Sequence, residues 1–256
     1  MVQPNNCGTA SGILLQLLQI VDSDPNATIA LLPSDHNVDN EYILACALRK
    51  AIGALNLRPT HSLFLGIHLE RADPELGYIV PGTLADDGTA AVLKFVEKPA
   101  VDAEQELLSH GALWNAFMIV SRAAILLKLF ENNSPDLVSR MRQAFYTNPF
   151  QCMNDGGTID VPYRTLPPLD FSRDILFSQE SHLRVLRIPP CGWSDLGTPA
   201  RVLAVPRRPF PIGSLAMNYP QKADILNLAS FAFSRCRILA GARPAPVNGI
   251  NEDLKI

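Results

Sequence analysis

The sequence predicts an α/β protein, with a mixed, mainly parallel β-sheet flanked by helices. Three observations carry this. Residues 27–32 (ATIALL) are an unbroken apolar run closed by Pro33-Ser34, which suits a strand buried on both faces of a sheet. A second such run, HSLFLGIHL at 61–69, follows a stretch whose apolar residues recur at helical spacing. The resulting order of helix, strand, helix, strand is that of βαβ winding.

Taken in order, residues 9–21 begin with a Thr or Ser cap, and Ile13, Leu14, Leu17, Leu18 and Val21 then mark one helical face. The strand at 27–32 leads to a helix over 39–55, with Tyr42, Ile43, Cys46 and Ala47 on one side, and then to the strand at 61–69. Short strands at 77–80 and 91–97 flank Asp86-Asp87-Gly88, a hairpin-type turn signal, and Pro99 stops the second of them. Residues 102–108 read as a helix and 113–120 (LWNAFMIV) as a strand. That strand runs into a helix capped by Ser121, with Ile125, Leu126 and Leu129 inward. Ser134-Pro135 opens another helix, a cap followed by proline in the first turn. Residues 148–168 are loop-rich, 171–177 form a short helix, and the strand at 183–188 leads into Cys191-Gly192-Trp193-Ser194-Asp195. Beyond Leu203 the texture shifts. Pro206, Pro209 and Pro211 among Arg207 and Arg208 read as a linker, 223–239 as one apolar helix, and 243–256 as disordered. The expected organisation is one unit over 1–203 and an unassigned tail over 204–256.

A chain of 256 residues with 47% hydrophobic and 18% charged residues has the composition of an ordinary globular protein with a sizeable core. Its net charge of −3 argues against nucleic-acid binding, which needs a basic footprint. The first residues lack the pattern of a signal peptide, and no stretch is long and apolar enough for a membrane span. Five scattered cysteines without a CxxC pair give neither a zinc site nor a disulfide framework, and fit a reducing cytoplasm.

Three places invite chemistry. In open α/β sheets ligands lie outside the carboxyl ends of strands, where Asp35 stands. Asp195 occupies a similar turn late in the chain, and two carboxylates meeting there would suit Mg²⁺ shared with substrate phosphates. Equally, Asp35 and Asp39 could simply cap the turn and the next helix. At Phe95-Val96-Glu97-Lys98-Pro99, a lysine past a strand end can meet a phosphate, and a glutamate can accept hydrogen bonds from sugar hydroxyls. Adjacent strand residues point to opposite faces, so both line one site only if the strand ends or bulges there. The alternative is a solvated ion pair on an edge strand. Trp114-Asn115 reads as core packing, or as an amide lining a polar pocket. No Ser-His-Asp order, nucleophile elbow, HExxH or GxGxxG occurs, and Gly156-Gly157 is a weak phosphate cradle.

Together, QPNNCGTASGI (3–13), LLPSDHNV (31–38), GYIVPG (77–82), FVEKP (95–99), ALWNAFMIV (112–120) and GWSDLGT (192–198) resemble the sugar-nucleotidyltransferases, most closely the mannose-1-phosphate guanylyltransferases. The resemblance implies a Rossmann-like nucleotide-diphospho-sugar transferase fold. It also implies that GTP and mannose 1-phosphate give GDP-mannose and pyrophosphate. On matching motifs, Asp35 and Asp195 would hold Mg²⁺ and Lys98 would contact the sugar 1-phosphate, these three being the catalytic set. Gly77, Glu97 and Asn115 would line the sugar pocket, and Gln3 and Gly8 would approach the base. Two departures stand out. Cys7 occupies a place where relatives usually carry a basic residue, and the family's GGxGTR phosphate loop and first strand are not in this sequence. A sheet lacking that strand is expected to leave an edge exposed. The tail resembles neither the left-handed β-helix nor the cupin-like domain of relatives. Other readings are a different hexose-1-phosphate nucleotidyltransferase, a non-catalytic sugar-nucleotide-binding subunit, or a gene fragment, and nothing in the sequence forbids a homo-oligomer.

Overall fold

A computed structural model describes residues 7–69, 73–147, 166–205, 228–232 and 236–241. Helix α1 (Gly8–Ser23) is buried at every residue from Ala10 to Leu18, so its sequence is apolar well beyond one stripe. Strand β1 (Thr28–Pro33), the short strand β2 (His36–Val38) and helix α2 (Glu41–Leu57) follow. β3 (Ser62–His68) is buried at all but its last position. β4 (Gly77–Leu84) and β5 (Thr89–Glu97) pair as the expected hairpin. Asp87 organises its turn: the carboxylate accepts the Thr89 N–H at 2.9 Å and hydroxyl at 2.7 Å, and pairs with Arg58. Burial alone would raise that carboxyl, but the Thr89 and Arg58 hydrogen bonds and the Arg58 charge outweigh it and hold it far below the usual carboxylate range.

Helix α3 (Val101–Ser109) and strand β6 (Leu113–Arg122) come next. Helices α4 (Ala123–Asn133) and α5 (Pro135–Thr147) then pack on each other. Ser121 does not cap α4. Its hydroxyl lies 2.8 Å from that of Ser62, so the two buried groups satisfy each other across β3 and β6. A π-helical turn (Phe171–Leu176) and a 3₁₀ turn (Glu180–His182) precede β7 (Leu183–Ile188). β8 (Trp193–Asp195) and helix α6 (Pro199–Ala204), capped by Thr198, complete this part. The predicted glycine pair 156–157, most of the predicted loop at 148–168, the linker at 206–211 and the segment 243–256 lie outside the described residues.

The sheet is mixed, but its balance is the reverse of the expected one. Among the described pairings only β3–β7 is parallel, while β1–β6, β3–β6, β4–β5, β4–β6 and β5–β7 are antiparallel. The helix–strand order misleads because β6 inserts between β1 and β3, which run parallel to each other without pairing. Nor is the described part of the apolar stretch 223–239 helical: it forms strand β9 (Leu228–Ala232) and enters β10 (Cys236–Gly241). β10 pairs antiparallel with β1 from Thr28↔Gly241 to Pro33↔Cys236, so β1 is hydrogen-bonded on both sides and the expected open edge is covered.

Two apolar clusters sandwich the sheet. One face, with Phe64, Ile79, Leu113 and Ile119, packs under α1, α4, α5 and the π-helical turn. The other, with Leu63, Leu65, Tyr78, Trp114 and Val120, packs under α2. Among the described residues no helix is long and apolar enough to cross a membrane, and none of Cys7, Cys46 and Cys191 is in a disulfide.

Candidate active site

β5 ends at Glu97, and Lys98 takes a left-handed backbone conformation with φ 45°. That break in the alternation lets two consecutive side chains face one cavity. The cavity, of about 600 Å³, is lined by Glu97 and Lys98 together with Tyr78, Asn115, Asp170 and Arg173, among others. Gly77 lies opposite Glu97 in the hairpin register. A Cβ at Gly77 would sit 2.5 Å from Glu97 Oε2 and 3.6 Å from Asn115 Cβ, so the missing side chain is what lets the carboxylate lie over the strand.

Asn115 is held by a deformation of β6. Its Oδ1 accepts the N–H of Phe117, at 3.1 Å, and Phe117 has φ 52°. The β3–β6 register shifts between Phe64 and Gly66 beside it. Trp114 points to the α2 side and is buried, while Asn115 lines the cavity, so both readings of this pair hold, one per residue.

Sequence reasoning missed the far wall. Asp170 caps the π-helical turn, accepting the Arg173 N–H at 2.9 Å, and receives the Thr9 hydroxyl at 3.4 Å. Its only sequence signal is an acidic residue just before a short helix. Enclosure by protein raises the Glu97 carboxyl above its ordinary value, the Asp170 charge adds to this, and Lys98 opposes it. Gly8, at φ 81°, lies against the backbone of Leu169, where a Cβ would meet Leu169 O at 2.2 Å. This close approach seats the start of α1, and hence Thr9, beside Asp170. Gln3 lies outside the described residues.

The two aspartates come together on a separate ladder. β2 and β8 pair antiparallel, with His36 opposite Asp195 and Val38 opposite Trp193. Asp195 is therefore a strand residue and not, as its sequence suggested, part of a turn. Leu196 donates its N–H to Asp35 O at 2.8 Å. The helix cap is Asn40, which accepts the Ile43 N–H, while Asp39 accepts from Asn37. Capping thus does not explain Asp35, whose carboxylate has no hydrogen-bond or ion-pair partner among the described residues. Asp195 is held on both oxygens, by the Gly197 N–H at 2.6 Å and by Arg201 Nη1 at 3.0 Å. Arg201 Nη2 also pairs with Asp73 at 3.0 Å and Glu75 at 3.1 Å, an anchor the sequence did not reveal.

His36 is packed edge-on against Trp193, ring centroids 5.1 Å apart, and Trp193 lies 5.8 Å from Trp114. Burial lowers the His36 pKa, against the opposing charges of Asp35 and Asp195. Asp35 and Asp195 do not line the cavity itself. The two groups of residues approach through Trp114 and Asn115, neighbours on β6 that face opposite sides of the sheet.

Among the described residues no three His, Cys, Asp or Glu side chains form a group able to hold a metal ion alone. The two aspartates still fit Mg²⁺, which takes one or two carboxylates and completes its shell with phosphate and water. Among the described residues Asp35 is unengaged, and each Asp195 oxygen accepts one bond, which leaves it a lone pair.

A family model described as "Nucleotidyl transferase" matches residues 1–207. Among curated proteins, a mannose-1-phosphate guanylyltransferase of Sinorhizobium fredii is 26% identical over 211 residues, covering 77% of this chain and 38% of that protein. The alginate biosynthesis protein AlgA of Pseudomonas syringae pv. tomato is 23% identical over 201 residues, 77% of this chain and 40% of that one. The chain thus spans about 40% of the length of these relatives. Of the solved structures, a mannose-1-phosphate geranyltransferase from Thermus thermophilus shares the fold, with a TM-score of 0.65 at 22% identity, over 77% of this chain and 54% of that one.

Proposed function

Because this chain belongs to the nucleotidyl transferase family, we propose that it joins the nucleotidyl group of GTP to mannose 1-phosphate, giving GDP-mannose and pyrophosphate. A phosphate oxygen of the sugar phosphate forms the new bond to the α-phosphorus of GTP, and the bond to the β-phosphate breaks as pyrophosphate leaves. Such a transfer needs little covalent help from protein; positioning and charge neutralisation do most of the work. Lys98 would meet the sugar 1-phosphate as a point charge at the mouth of the cavity. Glu97 and Asn115 would take the sugar hydroxyls, with Gly77 leaving them room. Asp35 and Asp195 would hold Mg²⁺, which when bound offsets phosphate charge. The supporting observation is the convergence of Glu97, Lys98 and Asn115 on one cavity of about 600 Å³ over a glycine.

The test is pyrophosphate release from GTP and mannose 1-phosphate with Mg²⁺, with UTP and dTTP as competitors. Asp35→Asn is the cleaner probe of the metal role, because Asp195 also anchors Gly197 and Arg201. Turnover that survives Asp35→Asn refutes the metal assignment. A second reading, a subunit that binds sugar nucleotide without turnover, is favoured by Arg201, which already neutralises Asp195. It predicts GDP-mannose binding with no pyrophosphate released.

A further inference from the structure

The indole N–H of Trp193 lies 3.1 Å from Nδ1 of His36. An indole nitrogen only donates, so Nδ1 must accept, and the neutral ring then carries its proton on Nε2. Trp193 is itself fixed against Trp114, and the β2–β8 register sets His36 opposite Asp195. Nε2 has no hydrogen-bond partner among the described residues. The imidazole is therefore pinned by its neighbours as a neutral N–H donor beside two carboxylates, where a ring left to itself would exchange tautomers.

We propose that His36 is a further ligand-contacting residue, its Nε2–H donating to a phosphate oxygen of the nucleotide, with Trp193 as the positioning residue that fixes the tautomer. This rests on the nucleotidyl-transfer reading above. Asp35 and Asp195 would repel the phosphates were they not offset by a cation. A neutral donor between them adds a directed contact without competing for that cation. Lys98 lines the sugar cavity and His36 does not, so His36 is assigned to the nucleotide's phosphates.

Nitrogen NMR of the histidine-labelled full chain tests the first half without activity. The free protein should show His36 protonated on Nε2 alone, and Trp193→Phe should yield a mixture of tautomers while leaving the fold intact. A proton on Nδ1 in the wild type, or an unchanged tautomer in Trp193→Phe, overturns the proposal. The second half is read by adding Mg²⁺ with GTP, and separately with inorganic pyrophosphate. The His36 Nε2 resonance should shift with both. His36→Phe should weaken GTP binding about 10-fold, while His36→Gln, which keeps a donor near the Nε2 position, should retain most of it. GTP binding with an unmoved resonance, or equal loss in both variants at matched melting temperature, defeats the assignment alone. No GTP binding by the wild type would defeat the nucleotidyl-transfer reading along with it.

Discussion

Gly77→Ala isolates the geometry of the proposed sugar cavity. The added methyl would lie 2.5 Å from Glu97 Oε2, and since ordinary contact begins at 3.4 Å the carboxylate must retreat by about 0.9 Å. Everything else near it is already at contact distance, Glu97 Cδ at 3.5 Å and Asn115 Cβ at 3.6 Å. Gly77 has no positive φ, so alanine brings no backbone strain. The clash falls on the free end of a flexible side chain, and stability should change by less than about 1 kcal/mol. Binding should not be spared. A hydrogen bond to a charged acceptor contributes about 1.5–3 kcal/mol, and a displacement of this size removes most of it. That corresponds to roughly 10- to 100-fold weaker binding of mannose 1-phosphate. Calorimetry with mannose 1-phosphate, beside a thermal melt, separates the two effects. Glu97→Ala should be equally weak, and the double variant little weaker than either, since both remove one contact. Unchanged affinity in Gly77→Ala, or additive losses in the double variant, would refute the reasoning.

Other expectations follow from the same structure. Asp87→Ala should cost about 2–4 kcal/mol, since it removes two Thr89 bonds and leaves Arg58 without its partner; urea unfolding measures it. Because the folded Asp87 carboxyl is depressed, its contribution is full above the unfolded carboxylate value and is lost as pH falls toward the folded one. Wild type should therefore lose stability below about pH 4 more steeply than Asp87→Ala. Lys98→Gly relieves a left-handed backbone and should be at least as stable as Lys98→Ala while binding sugar phosphate equally poorly; a marked loss of stability in the glycine variant would contradict this. Truncation before Leu228 removes the strand paired along β1, and light scattering should then report association through that edge.

The sequence by itself determined the helices and the longer strands up to Ile188, though not the three-residue strand β2 or the 3₁₀ turn, because each is a local pattern: apolar runs for β1 and β3, an Asp-Asp-Gly turn for the β4–β5 hairpin, a Ser-Pro start for α5. It also singled out Glu97 and Lys98 at a strand end, where ligands gather, while Asn115 entered through the resemblance; all three line one cavity. What it left open was decided by contacts between distant segments. Whether Glu97 and Lys98 share a face rested on one left-handed residue. Strand direction could not be read from element order, because β6 came from far along the chain to separate β1 from β3. The apolar tail suited a helix by composition, but β1 offered an unpaired row of backbone groups, and pairing with it satisfied both segments. Asp170, Arg201 and the Trp193–His36 bond were invisible for the same reason. Each draws its meaning from partners more than 70 residues away, Glu97, Asp73 and His36, and no local spacing encodes such a meeting.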